Sequence, residues 1–288
     1  MQNSLKEEIA QVEEEPNTVN HWKTRSSGWT QTISDAQPLD DVFSKTLVDA
    51  LEILPSDRIL DLAAGTGEPS ISIANSIQKY KKASIIATDL TIEMLEIAKK
   101  RADLLEFSNI NFTVSQMEAL PFRSNSFDKA VCRMGLMFPA DKIACAREAQ
   151  RVLKIEGVAA YLCWGKLEAN PAFELFAEAM RKYFKRDFPL RLVRHSLGEP
   201  GALATIMRNA NFGSVDERIV NYERVVKVND PYFKHSISRT WPAAVESLDD
   251  EEWGDLLKYT QEVFSKYRSG DKFLVPNSAN LAIGSATL

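Results

Sequence analysis

The residues of this sequence that are best suited to hold a ligand are two glycines and two aspartates. Gly65 and Gly67 form a turn directly after a short apolar run that contains Asp61. A glycine turn at the end of a strand lets a ligand approach the backbone where a side chain would block it. Asp89 ends the next β-branched run, where dinucleotide folds place the acid that accepts hydrogen bonds from ribose hydroxyls. The spacing predicts a nucleoside site, whereas two glycines alone would indicate only a tight turn.

The phosphate-binding features of nucleotide sites are missing from the same segment. The dinucleotide fingerprint requires a third glycine three residues after the second, and that position is Ser70. The segment also has no P-loop lysine. A cofactor with a ribose and without a phosphate fits best, and S-adenosylmethionine is the common one.

The elements that must position these residues alternate along the chain. Apolar or β-branched runs at 58–63, 84–89, 110–114, 127–132 and 157–164 predict strands, and the segments between them carry apolar residues at helical spacing. Strands that alternate with helices of about 10–15 residues indicate parallel βαβ units. The predicted fold is α/β, with a Rossmann-like, doubly wound, mostly parallel sheet, helices on both faces and a helical cap.

Three regions follow from this pattern. Residues 1–37 carry few apolar side chains apart from Trp22 and Trp29, and we interpret them as a lid arm that packs on the rest. Residues 38–165 form the predicted Rossmann-like core. Residues 166–288 form the predicted cap, mostly helical over 223–277, together with the last strands of the sheet at 215–220 and 280–286.

Five segments between residues 38 and 165 resemble motifs of the class I S-adenosylmethionine-dependent methyltransferases. They are 61–67 (DLAAGTG), 87–89 (ATD), 117–122 (MEALPF), 127–133 (FDKAVCR) and 152–154 (VLK). The sequence is most similar to the branch that contains the ubiquinone and menaquinone C-methyltransferases and many natural-product methyltransferases. The resemblance implies an enzyme that uses S-adenosyl-L-methionine as its cofactor.

The resemblance also implies which residues hold the methionine end of the cofactor. The aspartate of the first motif and the backbone of the turn would bind it, and the backbone near the end of the fourth strand would accept a hydrogen bond from its amino group. These residues are Asp61, Ala63, Gly65, Thr66, Gly67 and Arg133.

Other residues are implied for the ribose and the adenine. Asp89 would bind both ribose hydroxyls, with Leu90 and Met94 against the adenine ring. Gln116 and Met117 would contact the adenine edge, although core packing is an equally good interpretation of the two methionines. The family usually has an aspartate at position 116, and a glutamine carbonyl can accept the same hydrogen bond from an exocyclic amine.

A general base assists methyl transfer when the acceptor is a phenol, an amine or a carbon acid. His195 is the candidate catalytic residue, because it precedes a loop where the family often places residues that face the substrate. The alternative is a surface histidine in a basic stretch. His235 and Asp128 are weaker candidates.

The region 171–188 is rich in aromatic residues, including Phe173 and Phe176. Because ligand pockets are lined mainly by apolar and aromatic side chains, we expect a small, apolar or aromatic acceptor. Core packing is the competing interpretation of both phenylalanines. The acceptor atom (O, N or C) and the oligomeric state do not follow from the sequence.

Composition narrows the remaining classes of protein. A net charge of −5 disfavours nucleic acid as a partner. The chain has no apolar run of about 20 residues and no apolar segment near its N-terminus, so we expect neither a membrane span nor a secretory signal. The three cysteines are far apart and have no neighbouring histidine cluster. We expect buried thiols, no metal and a cytoplasmic location.

Three alternatives stay open at this point. The chain could be a catalytically silent subunit that binds the cofactor and acts through protein contacts. A nicotinamide oxidoreductase is disfavoured by Ser70. An RNA or protein methyltransferase is disfavoured by the net negative charge and because residues 133–136 do not resemble an Asn-Pro-Pro-Tyr amine-binding segment.

Overall fold

The computed structural model describes residues 18–32, 42–80 and 82–287 of the chain. The helices are α1 (Val19–Thr32), α2 (Val42–Leu51), α3 (Ser70–Ser76), α4 (Ile92–Leu104), α5 (Lys142–Val152), α6 (Ala172–Phe184), α7 (Ala202–Asn209), α8 (Tyr232–Thr240), α9 (Pro242–Val245) and α10 (Asp250–Val263). The strands are β1 (Arg58–Leu62), β2 (Ser84–Asp89), β3 (Ile110–Val114), β4 (Phe127–Arg133), β5 (Leu153–Trp164), β6 (Phe212–Lys227), β7 (Arg268–Ser269) and β8 (Lys272–Ala286).

These strands form a single mixed sheet in the order β3-β2-β1-β4-β5-β8-β6, with the short β7 paired to β8. Strands β1 to β5 run parallel to one another. Strand β8 is antiparallel to β5, β6 and β7. The architecture confirms the predicted doubly wound, mostly parallel sheet.

Helices cover both faces of the sheet because its central strands are apolar on both sides. Ile59 and Leu60 are adjacent in β1 and fully buried, and they point to opposite faces. Ile59 packs with α2 and α3, whereas Leu60 packs with α5 and α7. Continuous apolar runs of this kind are typical of parallel strands buried on both faces.

Strands β6 and β8 join the sheet to the cap, because each is long enough to belong to both. In β8, Leu281 is buried in the core of the sheet, whereas Phe273 and Val275 are buried in the cap together with Phe176 and Phe233. The cap therefore packs on an extension of the sheet.

The predicted strands 215–220 and 280–286 are shorter than the observed strands β6 and β8. The prediction that 223–277 is mostly helical is wrong at both ends of that range, which belong to these two strands. The helices there are α8, α9 and α10. Strand β6 lies at the edge of the sheet and most of its side chains are partly or fully exposed. Polar residues such as Asn221 and Glu223 therefore interrupt the apolar alternation that would have identified the strand.

Helix α1 is the part of the predicted lid arm that the structure describes; residues 1–17 and 33–37 lie outside the described residues. It packs on α8 and α4. Gly28 allows the close approach to α8, since a Cβ there would lie 2.5 Å from the carbonyl oxygen of Ser238. The boundaries of the three predicted regions stay predictions.

The three cysteines (Cys132, Cys145 and Cys163) are buried free thiols, as predicted. Within the described ranges, no helix is both long enough and apolar enough to cross a bilayer.

Candidate functional site

The candidate site lies where the order of the sheet reverses. Strand β1 has β2 on one side and β4 on the other. In doubly wound sheets, ligands bind in the crevice outside the carboxyl ends of the strands at this switch point. The glycine turn follows β1 directly, so the topology places it at this edge beside the ends of β2 and β4.

Asp89 and Gly65 are in direct contact. The Gly65 N–H donates to Oδ2 of Asp89 at 2.9 Å, and Thr91 donates to Oδ1 from its backbone N–H and its hydroxyl. Asp89 is 8% exposed. Burial raises the pKa of its carboxyl group, and the hydrogen bonds from Thr91 and Gly65 oppose that rise.

The turn itself opens onto free space at Gly65. Its φ is +54°, a backbone conformation that favours glycine. No described atom lies within 4 Å of the position that a Cβ would occupy. A side chain at this position would therefore occupy open space beside the turn, in which a ligand could lie.

Asp61 is fully buried beneath the turn. Its Oδ2 accepts hydrogen bonds from the Ser70 hydroxyl at 2.6 Å and from the Ser70 N–H at 3.1 Å. Oδ1 has no donor among the described residues. Burial raises the pKa of Asp61 to about 7, although both bonds from Ser70 oppose this shift. The serine that replaces the third glycine thus ties the start of α3 to Asp61.

Ala63 and Gly135 bring the end of β4 against the turn. Ala63 has a φ of +55°, so an alanine adopts the left-handed conformation here. A Cβ on Gly135 would lie 2.6 Å from the Cβ of Ala63. Arg133, the half-buried last residue of β4, precedes this contact by two positions. The backbone near Arg133 is therefore close to the turn.

Arg101 is a residue of this site that the sequence analysis missed. It is 5% exposed, and its guanidinium donates to the carbonyl oxygen of Thr66 at 2.6 Å and to Oε1 of Glu68 at 3.2 Å. It lies on the apolar face of α4, seven positions after Met94. The sequence could have indicated this residue, because Arg101 is a charged residue at a position where the helical spacing predicts a buried apolar one.

The residues implied for the adenine lie near Asp89 with different exposures. The Ser115 N–H donates to the backbone oxygen of Asp89 at 2.9 Å, so the chain after β3 passes beside it. Gln116 is exposed and Leu90 is half-buried. Met117 is half-buried against the core of the sheet.

Met94 is 3% exposed, which is the burial of a core residue. This burial favours the packing interpretation over the adenine interpretation for Met94. Thr66 and Gly67 continue the turn, with the Gly67 N–H donating to the Ala64 carbonyl oxygen at 2.8 Å.

His195 lies at the end of β5, two strands from the glycine turn. Its Nδ1 is 2.7 Å from the carbonyl oxygen of Gly165, and its ring centroid is 5.1 Å from that of Phe173. Nε2 is buried and has no partner among the described residues. Burial lowers the pKa of the imidazole, and the charge of Arg194 lowers it further, whereas the contact with Gly165 raises it. Because its pKa is lowered, the half-buried ring is mainly neutral at pH 7.

The structure does not support Asp128, the weaker catalytic candidate. It is the second residue of β4 and lies at the opposite edge of the sheet from the glycine turn, where it accepts hydrogen bonds from Lys154 and the backbone of Arg58. His235 lies on α8, half-buried and without a described contact to His195. Among residues 18–32, 42–80 and 82–287, no group of three or more metal-binding side chains is placed to hold an ion.

A narrow crevice that is partly open to solvent lies beside His195 between β5 and the cap. Its lining is aromatic and basic: Leu167, Phe173, Phe176, Pro189, Leu190, Arg191, Arg194, His195, Thr240 and Trp241. Phe173 also contacts Trp164 at 5.0 Å between centroids. Phe176 lines the crevice and also packs in the core of the cap.

Comparison with known proteins places this geometry among methyltransferases. Residues 53–197 match the family model for a methyltransferase domain. The ubiquinone/menaquinone biosynthesis C-methyltransferase UbiE of Geotalea uraniireducens is 29% identical over 153 residues, which is 53% of this chain and 63% of that relative. The match thus spans less than two thirds of the relative's own length.

Solved structures show the same fold. YcgJ from Bacillus subtilis superposes with a TM-score of 0.54 at 19% identity, covering 85% of this chain and 98% of that one. Phosphoethanolamine N-methyltransferase 2 of Haemonchus contortus, in complex with S-adenosyl-L-methionine, gives 0.55 at 14% identity, covering 94% and 58%.

Proposed function

The chain belongs to the methyltransferase domain family of class I S-adenosylmethionine-dependent enzymes, and from this premise we propose that it transfers a methyl group from S-adenosylmethionine to a small acceptor. The acceptor would lie in the crevice between the end of β5 and the cap.

The observation that carries the proposal is the contact between Asp89 and the Gly65 turn. A buried carboxylate holds a glycine backbone at φ +54°, and free space adjoins the glycine. These features fit a ribose that hydrogen-bonds to Asp89 and a chain that lies along the turn. The turn lacks a P-loop lysine and a third glycine, which fits a cofactor without phosphate.

The cofactor, when bound, supplies a methyl group that its sulfonium has already activated. The protein then contributes mainly alignment, since proximity and orientation can provide most of the acceleration. Asp89 and the turn would hold the nucleoside, and the crevice beside His195 would hold the acceptor. Both sites lie at the carboxyl edge of the same sheet.

His195 is proposed as the base that removes a proton from the acceptor. A carbonyl oxygen only accepts hydrogen bonds, so the contact with Gly165 requires the proton on Nδ1. In the neutral ring, Nε2 then carries the lone pair. The acceptor atom would receive the methyl group that the bound cofactor supplies, with the cofactor's sulfur as the leaving group. The acceptor's proton moves to Nε2.

Residues 1–37 are proposed to act as a lid on this site. Trp22 of α1 contacts Phe138, in the segment after β4, with ring centroids 4.9 Å apart. Lys23 pairs with Glu93 of α4 at 3.1 Å. His21 accepts a hydrogen bond from Arg191 of the crevice at 2.7 Å. The helix thereby links the adenine side of the site to the cap.

Calorimetry with S-adenosylmethionine, S-adenosylhomocysteine and NAD tests the cofactor assignment. We expect binding of the first two and none of NAD. Formation of S-adenosylhomocysteine in a metabolite extract, followed by mass spectrometry, then separates an enzyme from a silent subunit. Binding of NAD would overturn the cofactor assignment. Cofactor binding without any product in extracts of several growth conditions would favour the silent subunit.

A further inference from the structure

Two arginines at the crevice have no acidic partner. Arg194 lines the crevice and Arg239 lies next to Thr240 of its wall. Among residues 18–32, 42–80 and 82–287, no Asp or Glu forms an ion pair with either of them. Two other arginines that are at least partly buried, Arg101 and Arg151, do pair with carboxylates, namely those of Glu68 and Glu148. Since the chain has 40 acidic and 35 basic residues, a shortage of carboxylates does not explain this difference.

Aromatic rings hold these arginines in place without neutralising them. The guanidinium of Arg194 lies 5.2 Å from the ring centroid of Phe173, and that of Arg239 lies 4.8 Å from the ring of Trp29. Arg239 also donates from Nε to the carbonyl oxygen of His235 at 3.2 Å. Cation–π contacts orient a guanidinium but leave its positive charge and most of its donors available.

The two charges also repel their neighbours. Burial, followed by the charges of Arg191 and Arg239, lowers the pKa of Arg194 to about 9. Burial likewise lowers the pKa of Arg239 to about 10, with the charges of Arg224 and Arg133 in the same direction. A concentration of like charge in a half-buried wall is unfavourable unless an anion offsets it.

We propose that the acceptor carries an anionic group, a carboxylate or a phosphate, which Arg194 binds at the crevice wall. This inference rests on the proposed function. The charge of Arg239 would add to the positive electrostatic potential at the site where Arg194 binds the anion. The apolar or aromatic part of the acceptor would lie against Phe173 and Trp241. Guanidinium groups match both anions, because their planar donors fit two oxygens at once.

An anion at this position also affects the proposed base. Arg194 precedes His195 in the chain, and its charge is one of the causes that lower the pKa of the imidazole. An acceptor that neutralises Arg194 would remove that effect and make Nε2 more basic. The base would then be strongest when the acceptor is present.

Small aromatic probes test the inference without knowledge of the acceptor. Benzoate, phenyl phosphate and the neutral benzyl alcohol are titrated against the full chain by ligand-observed NMR, with S-adenosylhomocysteine present and absent. We expect benzoate or phenyl phosphate to bind at least tenfold more tightly than benzyl alcohol. Preference between the two anions distinguishes a carboxylate from a phosphate acceptor.

Three variants locate the binding. Arg194→Gln should weaken the preferred anion at least tenfold, and Arg194→Lys should weaken it less because the charge is kept. Arg123→Gln removes an exposed arginine before β4 and should change nothing. Circular dichroism and calorimetry with S-adenosylhomocysteine check that each variant is folded.

The inference is overturned if benzyl alcohol binds as tightly as the anions, or if Arg194→Gln keeps wild-type anion affinity. Either result, with cofactor binding intact, leaves the proposed function standing. Loss of S-adenosylmethionine binding in the wild-type chain would instead contradict the proposed function, whatever the probes do.

Discussion

The Nδ1 atom of His195 lies 2.7 Å from the carbonyl oxygen of Gly165, and this contact determines which ring nitrogen can act as a base. With the proton on Nδ1, the neutral ring keeps its lone pair on Nε2. Gly165 directly follows β5, so the strand fixes the orientation of the ring. A substitution that keeps this hydrogen bond but removes the base can therefore distinguish a catalytic role of His195 from a structural one.

His195→Ala and His195→Asn should both lower kcat by about 10² to 10⁴, the usual effect of losing a general base. The asparagine amide can still donate to the Gly165 oxygen, so it preserves the structural contact without the base. Steady-state kinetics with the identified acceptor measures kcat, and calorimetry should show unchanged cofactor affinity. Wild-type turnover in His195→Asn would assign His195 a structural role only.

The pH profile of the wild-type enzyme follows from the direction of the pKa shift. The base must be neutral to accept a proton, so kcat/KM, which reports the free enzyme, falls as the pH drops through the pKa of His195. Burial lowers that pKa from its ordinary value of 6.5. The acidic limb of the kcat/KM profile should therefore lie below pH 6.5 and should vanish in His195→Asn.

Asp89→Ala should reduce the affinity for S-adenosylmethionine at least tenfold, because two hydrogen bonds from ribose hydroxyls to a carboxylate would be lost at about 1.5–3 kcal/mol each. Asp103→Ala is a matched control, since it removes an exposed carboxylate that pairs with Lys99. Calorimetry compares the two variants. Equal affinities in Asp89→Ala and the wild type would remove Asp89 from the cofactor site.

Gly65→Ala should abolish most cofactor binding and lower the melting temperature slightly. The φ of +54° strains an alanine by about 1 kcal/mol, and its methyl group would occupy the open space beside the turn that the cofactor is proposed to fill. Gly254→Ala is the control: it lies within α10 with no atom within 4 Å of an added Cβ, so the substitution should raise the melting temperature. Thermal melts and calorimetry measure both effects.

The cofactor side of the site was predictable because its parts are close in sequence. Asp61, Gly65 and Asp89 belong to one βαβ unit, in which each acid ends a strand and the turn follows the first. Parallel pairing of β1 and β2 then brings their carboxyl ends together. The motif therefore encodes the contact between Gly65 and Asp89.

The crevice was not predictable, because its residues come from elements that only the fold brings together. Phe173 is on α6, Arg194 follows a separate loop, and Thr240 ends α8. Arg101 was missed for a related reason, since its partner Thr66 lies far away in the chain on the glycine turn. The long strand β6 was underestimated because an exposed edge strand needs little apolar alternation.

Cofactor affinity should depend on pH through Asp61. Its pKa is raised to about 7, so the carboxyl group is neutral below that pH and ionised above it. Because the sulfonium is positively charged, affinity for S-adenosylmethionine should rise up to tenfold between pH 6 and pH 8. Asp61→Asn should bind more weakly at pH 8 and lose this dependence. Calorimetry at both pH values tests the prediction. S-Adenosylhomocysteine serves as the comparison, because its sulfur carries no charge.

The same shift has a consequence for stability without cofactor. An acid whose folded-state pKa is raised stabilises the fold below its unfolded value of 3.8, and that contribution is lost as the pH rises through about 7. The free energy of unfolding of Asp61→Asn, taken relative to that of the wild type, should therefore be higher at pH 8 than at pH 5. Urea unfolding at the two pH values gives the difference, and a constant difference would contradict the raised pKa.

The lid proposal predicts that ligand binding protects α1 from trypsin. Lys23 and Arg25 are cleavage sites on this helix; Lys23 is exposed and pairs with Glu93, whereas Arg25 is 9% exposed and donates to the carbonyl oxygen of Thr240. S-Adenosylhomocysteine should slow cleavage at both residues severalfold, because a bound ligand would favour the docked helix. Gly28→Ala should speed cleavage, since its methyl group would collide with the Ser238 carbonyl oxygen and separate α1 from α8. Mass spectrometry of the fragments identifies each site. Cleavage at the same rate with and without ligand would show that α1 is a fixed part of the cap rather than a lid.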